Sequence, residues 1–273
     1  MSLALLGVLG FSFSLPWTVW ALESFAPVLT ATGRAVIAAS LAIVVLLARR
    51  VPWPQRHQVK PLLYTMTGAV FGWPILIALA LERTTAAHAA VIAAVMPLVT
   101  AVIAVLRTHE RVSRQFWLAA ACGTAALVVF ALLRGGGEGG SLTADALIAG
   151  AVVASSWCYV EGATLTKEMP GWQVISWVVV FALPITLPVS VILAATGGVT
   201  TPVTLPAWFG MIMLGVVSLY LAFFAWYRGL SLAGVARGAQ TQQLQAPLTL
   251  VWSALLSLLF RVAVTQNELI TTG

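Results

Sequence analysis

An all-α, polytopic membrane bundle follows from three features of this sequence. First, it is 60% hydrophobic and only 8% charged, against roughly 25% charged residues in soluble domains, and its mean hydropathy is +1.00. Second, the apolar residues fall into runs of about 20, the length an α-helix needs to cross the hydrocarbon core. Third, nearly all Lys and Arg residues sit in the short polar stretches between those runs.

The first run, residues 3–22, lacks the basic leader and small-residue cleavage site of a signal peptide and reads as a retained span. Its centre, FSFSLPWTVWAL, is interrupted. Pro16 cannot donate a helical hydrogen bond, so the Ser12 carbonyl needs another partner from protein or water. Phe13, Trp17 and Trp20 share one helical face by their spacing of four and three, as the wall of a hollow would. Further spans are expected at 27–48, 61–81, 85–106, 116–133, 146–165, 172–195, 207–227 and 232–260. A tenth starts near Glu268 and is only a stub before Gly273. Between the fifth and sixth lies RGGGEGGSLTAD, a flexible linker rather than a phosphate loop, since no strand precedes it and no Gly-Lys-Ser/Thr follows.

Assigning alternate loops to alternate sides sorts the basic residues. One side takes Arg49, Arg50, Arg56, Lys60, Arg107, Arg111, Arg114, Lys167, Arg228 and Arg237; the other takes Arg83, Arg134 and Arg261, while Arg34 lies inside the second span. The richer side is cytoplasmic, and with it the N-terminus. The calculated pI near 10.0 therefore reports membrane topology and gives no basic face for nucleic acid. Cys122 and Cys158 lie within spans without a CxxC partner and read as small buried hydrophobes.

The two halves echo each other. HAAVIAAVMPLVTAVIAVLRTHERVSRQFW, from His88, aligns with the stretch from Ala236, pairing Pro97 with Pro247; GAVFG of the third span matches GVVSL of the eighth. Residues 1–135 then form a first repeat, 136–145 a linker and 146–273 a second repeat. Five helices per repeat force the second half to insert inverted, an arrangement that favours alternating access to a midplane site.

The Ala-rich fourth span with its internal Pro97, Glu110 in the next loop, and Arg111-Val112-Ser113 before an aromatic-led helix resemble the EamA repeat of the drug/metabolite transporter superfamily. Arg34 also fits that family's pattern. The Trp-rich core and the length look most like the YddG-type exporters of aromatic and other amino acids. The resemblance implies a ten-helix fold and export by alternating access. In the second repeat, Arg261-Val262 stands where the family usually carries a Gly-Glu pair.

Charged and amide side chains inside spans are the candidates for function. Arg34 could anchor a substrate carboxylate or act at a gate; otherwise it snorkels or pairs with Glu23 or Glu161. Glu161 reads either as a coupling carboxylate or as a solvated residue at its helix end. His88 reads as an external helix-end residue or a gate, and Glu110 as a loop ion pair or helix cap. Gln242 and Gln245, three apart ahead of Pro247, form a cavity-lining pair, since an amide both donates to a carboxylate and accepts from an ammonium; otherwise they tie helices together. Trp17, Trp20, Trp73, Trp157, Tyr159 and Tyr220 are candidate cavity walls, suited to apolar or aromatic cargo. Gly68 with Gly72, and Gly234 with Gly238, read as close-packing pairs.

The expected function is secondary transport of small organic solutes, with amino-acid export across a bacterial-type inner membrane leading. A multidrug or other metabolite exporter of the same superfamily is the alternative. An intramembrane enzyme would need a nucleophile or metal constellation, whereas His57, His88 and His109 lie near span ends and the only Asp is Asp145 in the linker; a solute sensor would bind without flux. No cofactor or metal is implied. The expected partners are the bilayer and a small-molecule substrate, with no nucleic acid, and a monomer is compatible with the sequence.

Overall fold

The computed structural model describes residues 2–133, 141–252, 254 and 255. The linker residues 134–140, the Arg261-Val262 departure and the tenth-helix stub lie outside them. Among the described residues, helices stand at all nine expected places. They are α1 (Ser2–Leu22), α2 (Pro27–Ala48), α3 (Arg56–Leu81), α4 (Ala86–Ala93 and Met96–Thr108), α5 (Arg114–Ala131), α6 (Leu142–Leu165), α7 (Gly171–Ala195), α8 (Leu205–Ala233) and α9, which begins with Val235–Ala239 and a 3-10 turn over Gln240–Leu244 and continues through 245–252. Seven of these segments are at once long and apolar enough to cross a membrane; Arg114–Val129 is a shorter apolar helix.

Two boundaries differ from the sequence reading. α3 begins at Arg56 rather than 61, because Gln55 and Gln58 close a reciprocal cap ahead of Pro61. α8 runs on to Ala233 rather than stopping at 227. Gly234, at φ +83, makes the break, in the left-handed region that favours glycine.

α1 packs on α8, α3 on α6, α2 on α7, and α4 on both α6 and α9. Tight approach needs small residues. A Cβ on Gly68 of α3 would strike the Ala154 carbonyl of α6, so backbone contacts backbone there. The segments matched in sequence share their irregularities. α3 widens to a π-helix at Thr67–Gly72 and α8 at Leu214–Leu221. α4 breaks after Ala93, ahead of Pro97, and α9 tightens to 3-10 ahead of Pro247. In α3 and α4 the cause is local: Pro74 and Pro97 each remove a backbone donor, and the ladder shifts register around the gap.

Loop contacts fall on two sides. On one, Phe25 bridges Val199, the Thr204 hydroxyl meets Glu23 at 3.3 Å, and His88 meets Asp145 at 2.7 Å. On the other, His57 and Gln58 meet Glu168 at 2.8 and 2.9 Å, Arg107 meets Glu161, and Glu110 accepts the Ala236 N–H at 3.1 Å. The second set lies among the Lys- and Arg-rich loops.

α1 turns irregular at Phe13, and the missing partner of Ser12 is supplied from α9. The Thr249 hydroxyl donates to the Ser12 carbonyl at 2.8 Å, and Trp252 Nε1 donates to the Ser12 hydroxyl at 2.9 Å. Phe13 stacks between Trp17 and Trp252, with ring centroids 4.8 and 4.6 Å away.

Thr249→Val keeps the shape but leaves that buried carbonyl unpaired, and should lower stability by about 1–3 kcal/mol, read as thermal unfolding in detergent; Thr249→Ser should retain most of it. Outside the spans, the Gln58 amide and then His57 hold the Glu168 carboxyl below the usual 4.5. A carboxyl depressed by folding adds stability above its unfolded pKa and loses it as pH falls through the folded one. The melting temperature should therefore fall less steeply below about pH 4.5 in Glu168→Gln than in the parent chain.

Candidate functional site

The centre of the bundle holds a divided cavity. Its more polar half is lined by Phe11 and Ser14 of α1, Arg34 of α2, Ala69 and Trp73 of α3, Ser155 and Tyr159 of α6, Ser218 and Phe223 of α8, and Gln245 of α9. Its more apolar half lies among Leu15, the alanines 90, 93 and 94, Met96, Pro97, Gln242, Ala246 and Thr249. Trp73 and Gln245 line both halves and join them. Each half has a cavity volume of about 20 Å³, room for a water but not for an amino acid.

Arg34 dominates the chemistry. It is 5% exposed and makes no ion pair among the described residues; its Nη2 lies 3.5 Å from the Ser218 hydroxyl, and its Nε has no hydrogen-bond partner. It pairs with neither Glu23 nor Glu161, and burial excludes snorkelling. Ser218 is in turn bonded to Ser14 across the α1–α8 contact. Tyr159 lies within interaction range of Arg34, Ser155 and Gln242, and its ring stacks 6.0 Å from Phe11 and meets Trp226 edge-on at 5.2 Å. Among the described residues the guanidinium is thus buried without a carboxylate, near hydroxyls and an amide, and could accept a negatively charged group.

Gln242 donates to the Met96 sulfur at 3.4 Å and leaves its Oε1 unpartnered, while Gln240 donates to the Pro97 carbonyl at 3.3 Å. Both bonds cross the α4–α9 contact, so these amides tie helices as well as lining space.

Of the candidates read from sequence, Arg34, Trp73, Tyr159, Gln242 and Gln245 come together at the cavity. The others do not. Trp157 is 38% exposed, on an outer apolar face with Val153 and Ala154. Its one-residue offset from Cys158, which is fully buried, turns it away from the bundle. Trp17 packs in the α1–α8 seam with Ala21, Ala207 and Met211, and Trp20 packs there against Phe209 at 6.1 Å. Tyr220 is buried in the core and its hydroxyl meets Ser176 at 2.8 Å. Sequence reasoning missed Ser14, Ser155 and Ser218, since single serines in apolar helices carry no pattern; only their shared helix level with Arg34 marks them.

The charged end residues are paired. Glu161 is 1% exposed, which overturns the solvated reading, and its carboxylate meets Arg107 Nε at 2.6 Å. His88 meets Asp145 across the opposite ends of the same two helices. Glu110 caps the start of α9 through the Ala236 N–H. Among the described residues, no group of three or more His, Cys, Asp or Glu could hold a metal ion.

Comparisons with known proteins give the chain's family and fold. The EamA-like transporter family matches residues 1–132. "Uncharacterized transporter YdeK" of Bacillus subtilis (strain 168) is 40% identical over 240 residues, covering 88% of this chain and 82% of that protein. A solved structure described as "Crystal structure of protein" superposes with a TM-score of 0.73 at 19% identity, over 93% of this chain and 87% of the other, and so shares the fold.

Arg107→Gln strands the buried Glu161 carboxylate, whereas Glu161→Gln strands only a half-exposed guanidinium that water can reach. The first should cost about 1–3 kcal/mol and the second under about 1 kcal/mol, an asymmetry that thermal unfolding of the two variants will read.

Proposed function

Because this chain belongs to the EamA-like transporter family, we propose that it is a secondary transporter that exports neutral or aromatic amino acids across a bacterial inner membrane by alternating access at the central cavity. The observation that carries this reading is the buried guanidinium of Arg34, which has no acidic partner among the described residues. A carboxylate would satisfy its free Nε and the neighbouring Ser14, Ser218 and Tyr159 hydroxyls, and a fixed positive charge disfavours a lipophilic cation as cargo. The amide of Gln245 offers an acceptor for an ammonium, and Trp73, Phe11, Tyr159 and Phe223 offer ring faces to an apolar side chain. The outward direction rests on the resemblance to amino-acid exporters.

The test is counterflow of labelled phenylalanine, tryptophan and threonine, beside a lipophilic cation, in proteoliposomes. Saturable amino-acid flux is expected. Arg34→Gln should lower it roughly ten- to a hundredfold, since a hydrogen bond to a charged group contributes about 1.5–3 kcal/mol. Trp157→Ala, on the outer face, should leave it unchanged. Flux of the cation alone would overturn the amino-acid reading in favour of a multidrug exporter.

A further inference from the structure

A second pair of hollows opens on the Lys- and Arg-rich side, away from the central cavity. One, of about 490 Å³, lies among Thr108, Glu110, Thr164, Thr166, Lys167, Arg228, Ser231 and Leu232; the other, of about 270 Å³, lies among Thr166, Pro170, Trp172, Phe224, Arg228 and Ser231. Thr166, Arg228 and Ser231 belong to both, so the two form one groove where the α6–α7 loop meets the end of α8.

Its charge is net positive. On this side Arg107 is held by Glu161, Arg49 lies over the Trp172 ring at 5.8 Å and Lys60 over Tyr64 at 5.7 Å. Lys167 and Arg228 make no ion pair among the described residues. Of the acids nearby, Glu110 lines the groove and accepts the Ala236 N–H, leaving two cations against one carboxylate, while Glu168 is held by His57 and Gln58.

The hydroxyls narrow the ligand further. Thr164 donates to the Val160 carbonyl at 2.9 Å, Thr166 to Ala163 at 2.6 Å and Ser231 to Arg228 at 2.9 Å. Each has committed its proton and presents only lone pairs. The groove thus offers two cations for an anion and three oxygens for hydroxyl donors. A phosphodiester carrying a polyol matches both demands; a choline headgroup, which has no hydrogen-bond donor, leaves the three oxygens unused. Trp172, Phe224 and the 63% exposed Leu232 give the groove an apolar margin towards the lipid.

We propose that this groove binds the headgroup of an anionic phospholipid of the phosphatidylglycerol type, with Lys167 and Arg228 on the phosphate and the Thr164, Thr166 and Ser231 oxygens accepting from the glycerol hydroxyls. This binding is independent of the cargo proposed for the central cavity.

Native mass spectrometry of the full chain in detergent, titrated with dioleoylphosphatidylglycerol or dioleoylphosphatidylcholine, tests it. Retention of the glycerol lipid over the choline lipid is expected. Lys167→Gln should weaken that retention about fivefold, and Lys167→Gln with Arg228→Gln about thirtyfold. Arg114→Gln, on the same side but outside the groove, should leave it unchanged. Equal losses in all three variants would show a general surface field and overturn the site, as would equal retention of both lipids. Displacement of the lipid by free glycerophosphoglycerol at the same concentration would overturn the lipid assignment in favour of a soluble phosphodiester.

Discussion

The Ser12 carbonyl is the point on which the arrangement of this bundle turns. Inside a bilayer a backbone oxygen without a donor costs several kcal/mol, and Pro16 guarantees that one exists. The structure meets the cost by bringing α9 against α1, so that Thr249 supplies the bond and Trp252 and Phe13 close over it. That contact carries α9 alongside the cavity and places Gln245, one helical turn before Thr249, on the cavity wall. A local defect in one helix thus fixes the position of another that lies more than two hundred residues along the chain.

Charge is treated in two opposite ways within the same bundle. Glu161 is buried and paired with the half-exposed Arg107. Arg34 is buried to a similar degree among hydroxyls, an amide and aromatic rings, with no acid paired to it among the described residues. Desolvating a guanidinium without a carboxylate is unfavourable, and stability alone gives no reason to retain it. The cost is intelligible if the counter-ion arrives with the cargo.

Much of this was legible in the sequence. Helix number and placement follow from apolar run length, and the irregular segments follow from Pro16, Pro97, Pro247 and the matched GAVFG and GVVSL stretches. The need for an outside donor at Ser12 was also readable; its identity as Thr249 was not, because a threonine near the end of an apolar run has many possible faces. The aromatic walls were the least legible feature. Trp73 and Trp157 look alike in sequence, yet one lines the cavity and the other faces outward, since the direction of a side chain depends on helix rotation, set here by glycines such as Gly68. Glu161 was misread as solvated because proximity to a helix end says nothing of the Arg107 side chain that covers it.

The helices around the cavity are not held with equal strength. α4 and α6 are tied at three levels: His88 to Asp145 at one end, the Thr100 hydroxyl to Ser156 at 3.0 Å in the middle, and Arg107 to Glu161 at the other. Two of these ties are ionisable pairs, each with one half-exposed partner, and the hydroxyl tie between them is buried, so the two helices are held along their whole length. Beside the cavity, α4 meets α9 through the Gln240 amide at 3.3 Å from a carbonyl and the Gln242 amide at 3.4 Å from a sulfur, which is a weak acceptor. Both helices are also interrupted there, α4 after Ala93 and α9 over Gln240–Leu244. The wall beside the cavity therefore combines few polar ties with an interrupted backbone in both helices.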